Sequence, residues 1–103
     1  MRHGGQILAD QLKLHGVRRV FSVPGESFLA ALDGLYESGI ENIVCRHEGG
    51  AAMMAEAHGK MTGTPGIAFV TRGPGATNAS AGIHIARQDS TPMILFVGQI
   101  DRG

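Results

Sequence analysis

Apolar residues at Ile7, Leu8, Leu12 and Leu14 recur with near-helical spacing, and Gly16 follows where a helix commonly closes in a left-handed residue. This predicts a first helix. Residues 17–23 are β-rich and stop at Pro24-Gly25, after which Phe28, Leu29, Leu32 and Leu35 mark an amphipathic helix ending near Gly39. The pattern then recurs. Residues 40–45 read as a short strand, 48–61 as a helix of good formers and 66–71 as a buried strand. Gly73-Pro74-Gly75 breaks the chain, residues 76–88 return to helix, and 92–97 form another strand. The expected order is one helix, three strand-helix units and a last strand.

Strands alternating with helices imply right-handed parallel crossovers and a sheet covered on both faces. The fold class read from the sequence is α/β, a three-layer α/β/α sandwich with a parallel sheet of about four strands. In such sheets, ligands bind at the carboxyl ends of strands, near the point where strand order reverses. Four segments qualify: Pro24-Gly25-Glu26, Arg46-His47-Glu48, residues 71–78 and Gly98-Gln99. The polar and turn-forming residues gather at one edge of the sheet.

Composition narrows the functional classes. The chain has 103 residues, enough for one small domain, and its nine Lys and Arg balance nine Asp and Glu. No bulk charge is available to hold nucleic acid or an anionic membrane. No apolar run approaches the length of a membrane span, and the first residues carry no signal-peptide pattern. A single cysteine, Cys45, makes no intrachain disulfide and suits a reducing compartment, so the expected location is cytoplasmic. It ends a strand and reads as a small buried hydrophobe. His47, His58 and His84 lack metal-ligand spacing and read as surface or packed histidines, so no metal site is expected in this chain. Met53, Met54 and Met61 read as core or subunit-contact residues. Glycine, with 16 residues, is in excess and stands between apolar segments rather than in a linker.

Two phosphate-binding signatures are near misses. Gly73-Pro-Gly-Ala-Thr-Asn78 resembles a dinucleotide fingerprint, but Asn78 stands where Gly or Ala belongs and Asp89 comes too early to hold a ribose. Gly59-Lys60 is followed by Met61 rather than Ser or Thr, which fails the phosphate-loop pattern. Glu48 carries more. A carboxylate in the first turn of a helix complements the helix dipole. Here, though, Gly49-Gly50-Ala51-Ala52 follow it, and four residues without bulk let another molecule approach closely. Enclosure there would raise the carboxyl pKa by desolvation, as proton exchange with a weakly basic nitrogen requires.

Several ordered motifs together resemble the amino-terminal pyrimidine-binding domain of thiamine-diphosphate enzymes, acetolactate synthase and pyruvate oxidase group. They are Val23-Pro24-Gly25-Glu26, Arg46-His47-Glu48-Gly49-Gly50-Ala51-Ala52-Met53 with Ala55, Gly59 with Thr62-Gly63, Thr71-Arg72-Gly73-Pro74-Gly75-Ala76-Thr77-Asn78, and Asp89-Ser90-Thr91-Pro92 followed by Gly98-Gln99. The likeness covers essentially the whole chain. It implies that Glu48 hydrogen-bonds N1′ of the cofactor's aminopyrimidine and drives its amino group toward the imino form. That group then removes the thiazolium C2 proton, and the resulting carbon attacks a 2-keto acid. By the same resemblance Pro24 and Gly25 line the pocket, Thr71, Gly75 and Asn78 pack near the pyrimidine and substrate, and Gln99 faces the reaction centre. Glu48 is the catalytic assignment; the others are positional.

Two residues depart from the group's pattern. Acetolactate synthases commonly carry Gly where Glu26 stands and Ser or Thr where Arg72 stands. These charges would either pair across adjacent strand ends or meet an acidic substrate. The Gly-Asp-Gly and Asn elements that hold Mg²⁺ and the diphosphate do not occur in the sequence. Residues 1–103 are therefore expected to be a single, incomplete pyrimidine domain, with thiamine diphosphate and Mg²⁺ held jointly with a domain this chain lacks. Two readings follow from the sequence: part of a 2-keto acid carboligase or decarboxylase that is inactive alone, or a free-standing module acting by self-association or weak ligand binding. An uncovered sheet edge is expected to favour a homo-oligomer.

Overall fold

The computed structural model describes residues 1–102. The chain forms α1 (Gly4–Leu14), β1 (Arg19–Ser22), a 3₁₀ turn (Glu26–Phe28) leading into α2 (Leu29–Leu35), β2 (Glu41–Val44), α3 (Glu48–Thr62), β3 (Gly66–Val70), α4 (Pro74–Asn78), α5 (Ser80–Asp89) and β4 (Met93–Val97). All strands run parallel, in the order β2-β1-β3-β4. The chain steps from β1 to β2 on one side and then passes back over β1 to β3. With right-handed crossovers, this reversal puts α2 and α3 on opposite faces. It also opens a crevice at the carboxyl ends of β1 and β3. The expected α/β/α sandwich is what forms.

Alternation along the strands divides the core. Val20, Ile67 and Phe69 turn to one face, where they meet Ala9, Leu12, Phe28, Leu35 and Ile40. Phe69 stacks between Phe28 and Phe96, with ring centroids 5.9 and 4.8 Å away. Phe21, Ala68 and Val70 turn to the other face, against Ala51, Ala52, Ala55 and Ala79. Each apolar face is thus buried by a helix pair, and α3 lies close to the sheet because its inner side is almost all alanine and glycine. Small residues also set the contact of α1 with α2. A Cβ on Gly34 would lie 2.1 Å from the Gly5 carbonyl oxygen, so the two backbones touch.

Several element boundaries differ from those expected. The helical face of α1 is Gly5, Ala9 and Leu12, whereas Ile7 and Leu14 are exposed. β1 begins only at Arg19, because the Val17 amide still bonds back to the Leu12 carbonyl. The second helix stops at Leu35: Glu37 takes a positive φ of 61°, and Ser38 bonds the Leu35 carbonyl through its hydroxyl. The single helix expected over 76–88 is interrupted at Ala79, whose amide is shared between the carbonyls of Gly75 and Ala76. That tightened turn seats the Ala79 methyl in the core beside Ala52 and Val70.

Candidate functional site

The loops after β1 and β3 meet over the crevice. The Ser27 and Thr71 hydroxyls share a 2.7 Å hydrogen bond that ties the two loops together. A Cβ on Gly25 would stand 2.9 Å from the Thr71 Cβ, so this contact leaves no room for a side chain. Beyond β3, Gly73 turns the chain with φ 56° and ψ −109°, and Pro74 starts α4 at a position that needs no backbone donor. This turn brings Gly75 and Asn78 toward the first residue of α3. Asn78 donates its side-chain amide to Glu48 Oε1 at 3.1 Å. Glu48 Oε2 lies 3.5 Å from where a Gly75 Cβ would be, so it faces bare backbone. One carboxylate oxygen is held, and the other lies by the Gly75 backbone, where the Thr71 methyl, 2.8 Å from a Gly75 Cβ, leaves no room for a side chain.

The structure thus gathers Gly25, Glu48, Thr71, Gly75 and Asn78, and it places the other expected residues less closely. Pro24 is exposed in the loop after β1. Glu26 is exposed at the start of the 3₁₀ turn, Arg72 is half-buried after β3, and no ion pair joins them among the described residues. Gln99 is exposed, and its side-chain oxygen accepts from the Ile100 amide rather than reaching Glu48. The enclosure expected around Glu48 is absent in this chain: the residue is only half-buried, and Pro24, Pro74, Thr77 and Asn78 around it are exposed. Strand-end loops project past the layers that cover the sheet, so nothing in the described residues closes over them. A cavity of about 530 Å³ lies at the opposite edge, near the starts of β1 and β3, among Leu12, Val17, His58, Pro65 and Ile67.

The remaining candidates separate in the same way. Met53, Met54 and Met61 are exposed, which removes them from the core. Cys45 is half-buried, with its sulfur 3.8 Å from the Met54 sulfur, rather than fully buried. His58 meets the edge of the Phe21 ring at 6.3 Å, and His84 is exposed. Among the described residues no cluster of ligating side chains suits a metal, and no helix is long and apolar enough to cross a membrane. Two residues outside the expected set stand at the site. Ser27 bridges to Thr71, and His47 accepts the Gly49 amide on its Nδ1 at 2.9 Å, capping α3 beside Glu48. The Ser27 contact depends on β3 lying next to β1, which alternation along the chain does not specify. A polar residue just before a helix is the usual sign of a cap, but histidine is not among the common ones.

The fold is that of an α/β domain, with a first-turn carboxylate beside the reversal point of its parallel sheet. Comparison with known proteins makes the class specific: the family model described as thiamine pyrophosphate enzyme, N-terminal TPP binding domain, matches residues 2–103, and the chain belongs to that family. It is 41% identical over 98 residues to the acetolactate synthase isozyme 2 large subunit of Escherichia coli (strain K12), covering 95% of this chain and 18% of that protein. It is also 41% identical over 99 residues to acetolactate synthase of Bacillus subtilis (strain 168), covering 96% of this chain and 17% of the relative. The acetolactate synthase large subunit of Lactococcus lactis subsp. lactis (strain IL1403) is 43% identical over 98 residues, or 94% of this chain and 17% of its own length. The chain thus spans under a fifth of these relatives.

Proposed function

We propose that this chain is the pyrimidine-binding part of an acetolactate synthase-like enzyme, incomplete and inactive alone, and that Glu48 is its catalytic carboxylate. The observation that carries this reading is the divided state of that carboxylate. Asn78 holds Oε1, while Oε2 has no hydrogen-bond partner among the described residues and lies by the Gly75 backbone at the sheet's reversal point. A planar ring nitrogen that shares a proton suits such an acceptor. The donor set thus fits an aminopyrimidine. When bound, thiamine diphosphate supplies a nucleophilic carbon and an electron sink for 2-keto acid chemistry.

The residues of this chain would bind, orient and exchange a proton. Glu48 holds the proton shared with the ring nitrogen, and Asn78 keeps its carboxylate from rotating away. Ser27 and Thr71 fix the spacing of the two loops beneath the ring. Pro24 and Gln99 lie on the same edge as outer contacts, and the positive charge of Arg72 together with Glu26 would sort substrates by charge. Mg²⁺ and the diphosphate would fall to a domain outside this chain, and enclosure of Glu48 would come from the same source. Calorimetric and NMR titration with thiamine diphosphate and Mg²⁺ tests the reading. Binding is expected to be weak, about millimolar, with amide shifts centred on Glu48, Gly75 and Asn78 and abolished in Glu48→Gln. Shifts that persist unchanged in Glu48→Gln would overturn it.

A second reading, a module acting by self-association, is favoured by one observation. Among the described residues β4 pairs only with β3, and it carries exposed Ile94 and Val97 with no charge or proline within the strand. Under this reading the chain forms a homo-oligomer through β4. Light scattering across a concentration series decides, since a monodisperse monomer excludes it.

A further inference from the structure

The imidazole beside the central carboxylate has a defined task. His47 takes extended backbone angles, φ −149° and ψ 142°, and its Nδ1 accepts the Gly49 amide at 2.9 Å. A second observation points the same way: a Cβ on Gly49 would lie 2.9 Å from Nδ1 and 3.4 Å from the Asn78 carbonyl oxygen. Gly49 therefore leaves the space in which the imidazole sits, and Glu48 lies between the two residues that make the cap. The common capping side chains, Ser, Thr, Asp and Asn, accept the amide throughout the neutral range. Histidine does so only while Nδ1 is unprotonated, which in the neutral ring places the hydrogen on Nε2.

We propose that His47 is the positioning residue for Glu48 and that it makes the first turn of α3 pH-responsive. With the ring neutral, Nδ1 holds the Gly49 amide and fixes the direction of the Glu48 side chain toward Gly75 and Asn78. With the ring protonated, Nδ1 becomes a donor facing another donor. The cap is lost, and a positive charge stands at the positive end of the helix dipole. The order of the turn is thus present while the ring is neutral and is lost when the ring is protonated.

The surroundings leave this task to the imidazole. The charged residues beside it in the chain are Arg46 and Glu48. Cys45 turns its thiol toward Ile43 and Met54, and α4 brings the uncharged Asn78. Among the described residues no side chain makes an ion pair with His47.

Only the consequence for catalysis rests on the function proposed for Glu48. The test uses the full chain without ligand, so failure of the cap and failure of the cofactor assignment are seen separately. Nitrogen NMR of the wild-type ring at about pH 8 is expected to show the Nε2–H tautomer, and this requires no variant. Hydrogen exchange at Gly49, corrected for intrinsic rate, is expected to lose about fivefold protection between about pH 8 and 5. In His47→Asn, protection stays flat across that range, and in His47→Ala it is low throughout. An Nδ1–H tautomer in the wild type, a Gly49 amide indifferent to the imidazole titration, or a pH response retained in His47→Asn would overturn the proposal.

Discussion

The two ends of α3 carry similar side chains in opposite states. At the carboxyl half, Glu56 is 6% exposed and paired with a cation: its Oε1 accepts from the Thr91 hydroxyl at 2.8 Å and meets Lys60 at 3.0 Å, while Lys60 also reaches Asp89 at 2.5 Å. At the amino end Glu48 is half-buried and engaged through one oxygen. The glycines repeat the contrast. A Cβ on Gly59 would lie 2.1 Å from the Pro92 carbonyl oxygen, whereas one on Gly50 would meet nothing within 4 Å. A buried carboxylate paired with a cation stabilises the fold; a half-buried one that forms no ion pair among the described residues is placed to meet a ligand. Burial alone would have selected Glu56 as the interesting acid, and the lack of an ion pair at Glu48 selects Glu48 instead.

The largest expected effect is at the closed end. Glu56→Ala strands the Thr91 hydroxyl and empties a packed position, while Lys60 keeps Asp89, and it is expected to cost about 2 to 3 kcal/mol in urea unfolding. Glu48→Gln is expected to change stability by less than about 0.5 kcal/mol. Equal losses in the two would break the comparison. Next, Gly59→Ala forces its methyl against the Pro92 carbonyl and is expected to cost about 2 kcal/mol. Gly50→Ala has open space and helical angles, and it is expected to stabilise by about 0.5 to 1 kcal/mol in the same assay.

Two smaller effects sharpen the picture. Removing the Ser27–Thr71 bond with Ser27→Ala is expected to cost about 1 kcal/mol, with coupling to Thr71→Val in a double-mutant cycle. At the closed end, hydrogen bonds to Asp89 first and Glu56 second raise the Lys60 pKa above its ordinary 10.5. A raised ammonium contributes its full stabilisation below the unfolded value and loses it as pH rises through the folded one. The stability difference between wild type and Lys60→Met is therefore expected to stay constant up to about pH 10 and shrink above it, as read from melts across pH.

Much of this was legible from the residues. Alternating apolar strands and amphipathic helices specify parallel crossovers, and the strand-end rule selects the loops that meet at the site. Glu48 stood out because four small residues follow it. The core side of α1, Gly5, Ala9 and Leu12, was not legible, because small residues contribute little to a hydrophobic pattern. The Ala79 interruption arises from a methyl seated in the core, which helix propensity does not register. The Ser27–Thr71 bond joins residues 44 apart and exists only because β3 lies beside β1. His47 was read as a surface or packed histidine and is exposed, but alternation says where a residue points and not what its ring nitrogen accepts. The enclosure expected for Glu48 also failed: small neighbours permit close approach, yet no described element covers the edge.

The most direct test of the central claim compares thiamine with an analogue whose pyrimidine N1′ is replaced by CH, titrated against wild type and Glu48→Gln. If Glu48 takes the ring nitrogen, wild type binds the analogue about tenfold more weakly than thiamine, and Glu48→Gln shows no such preference. A preference of the same size in both proteins would contradict it, because the ring nitrogen would then be read by some other residue.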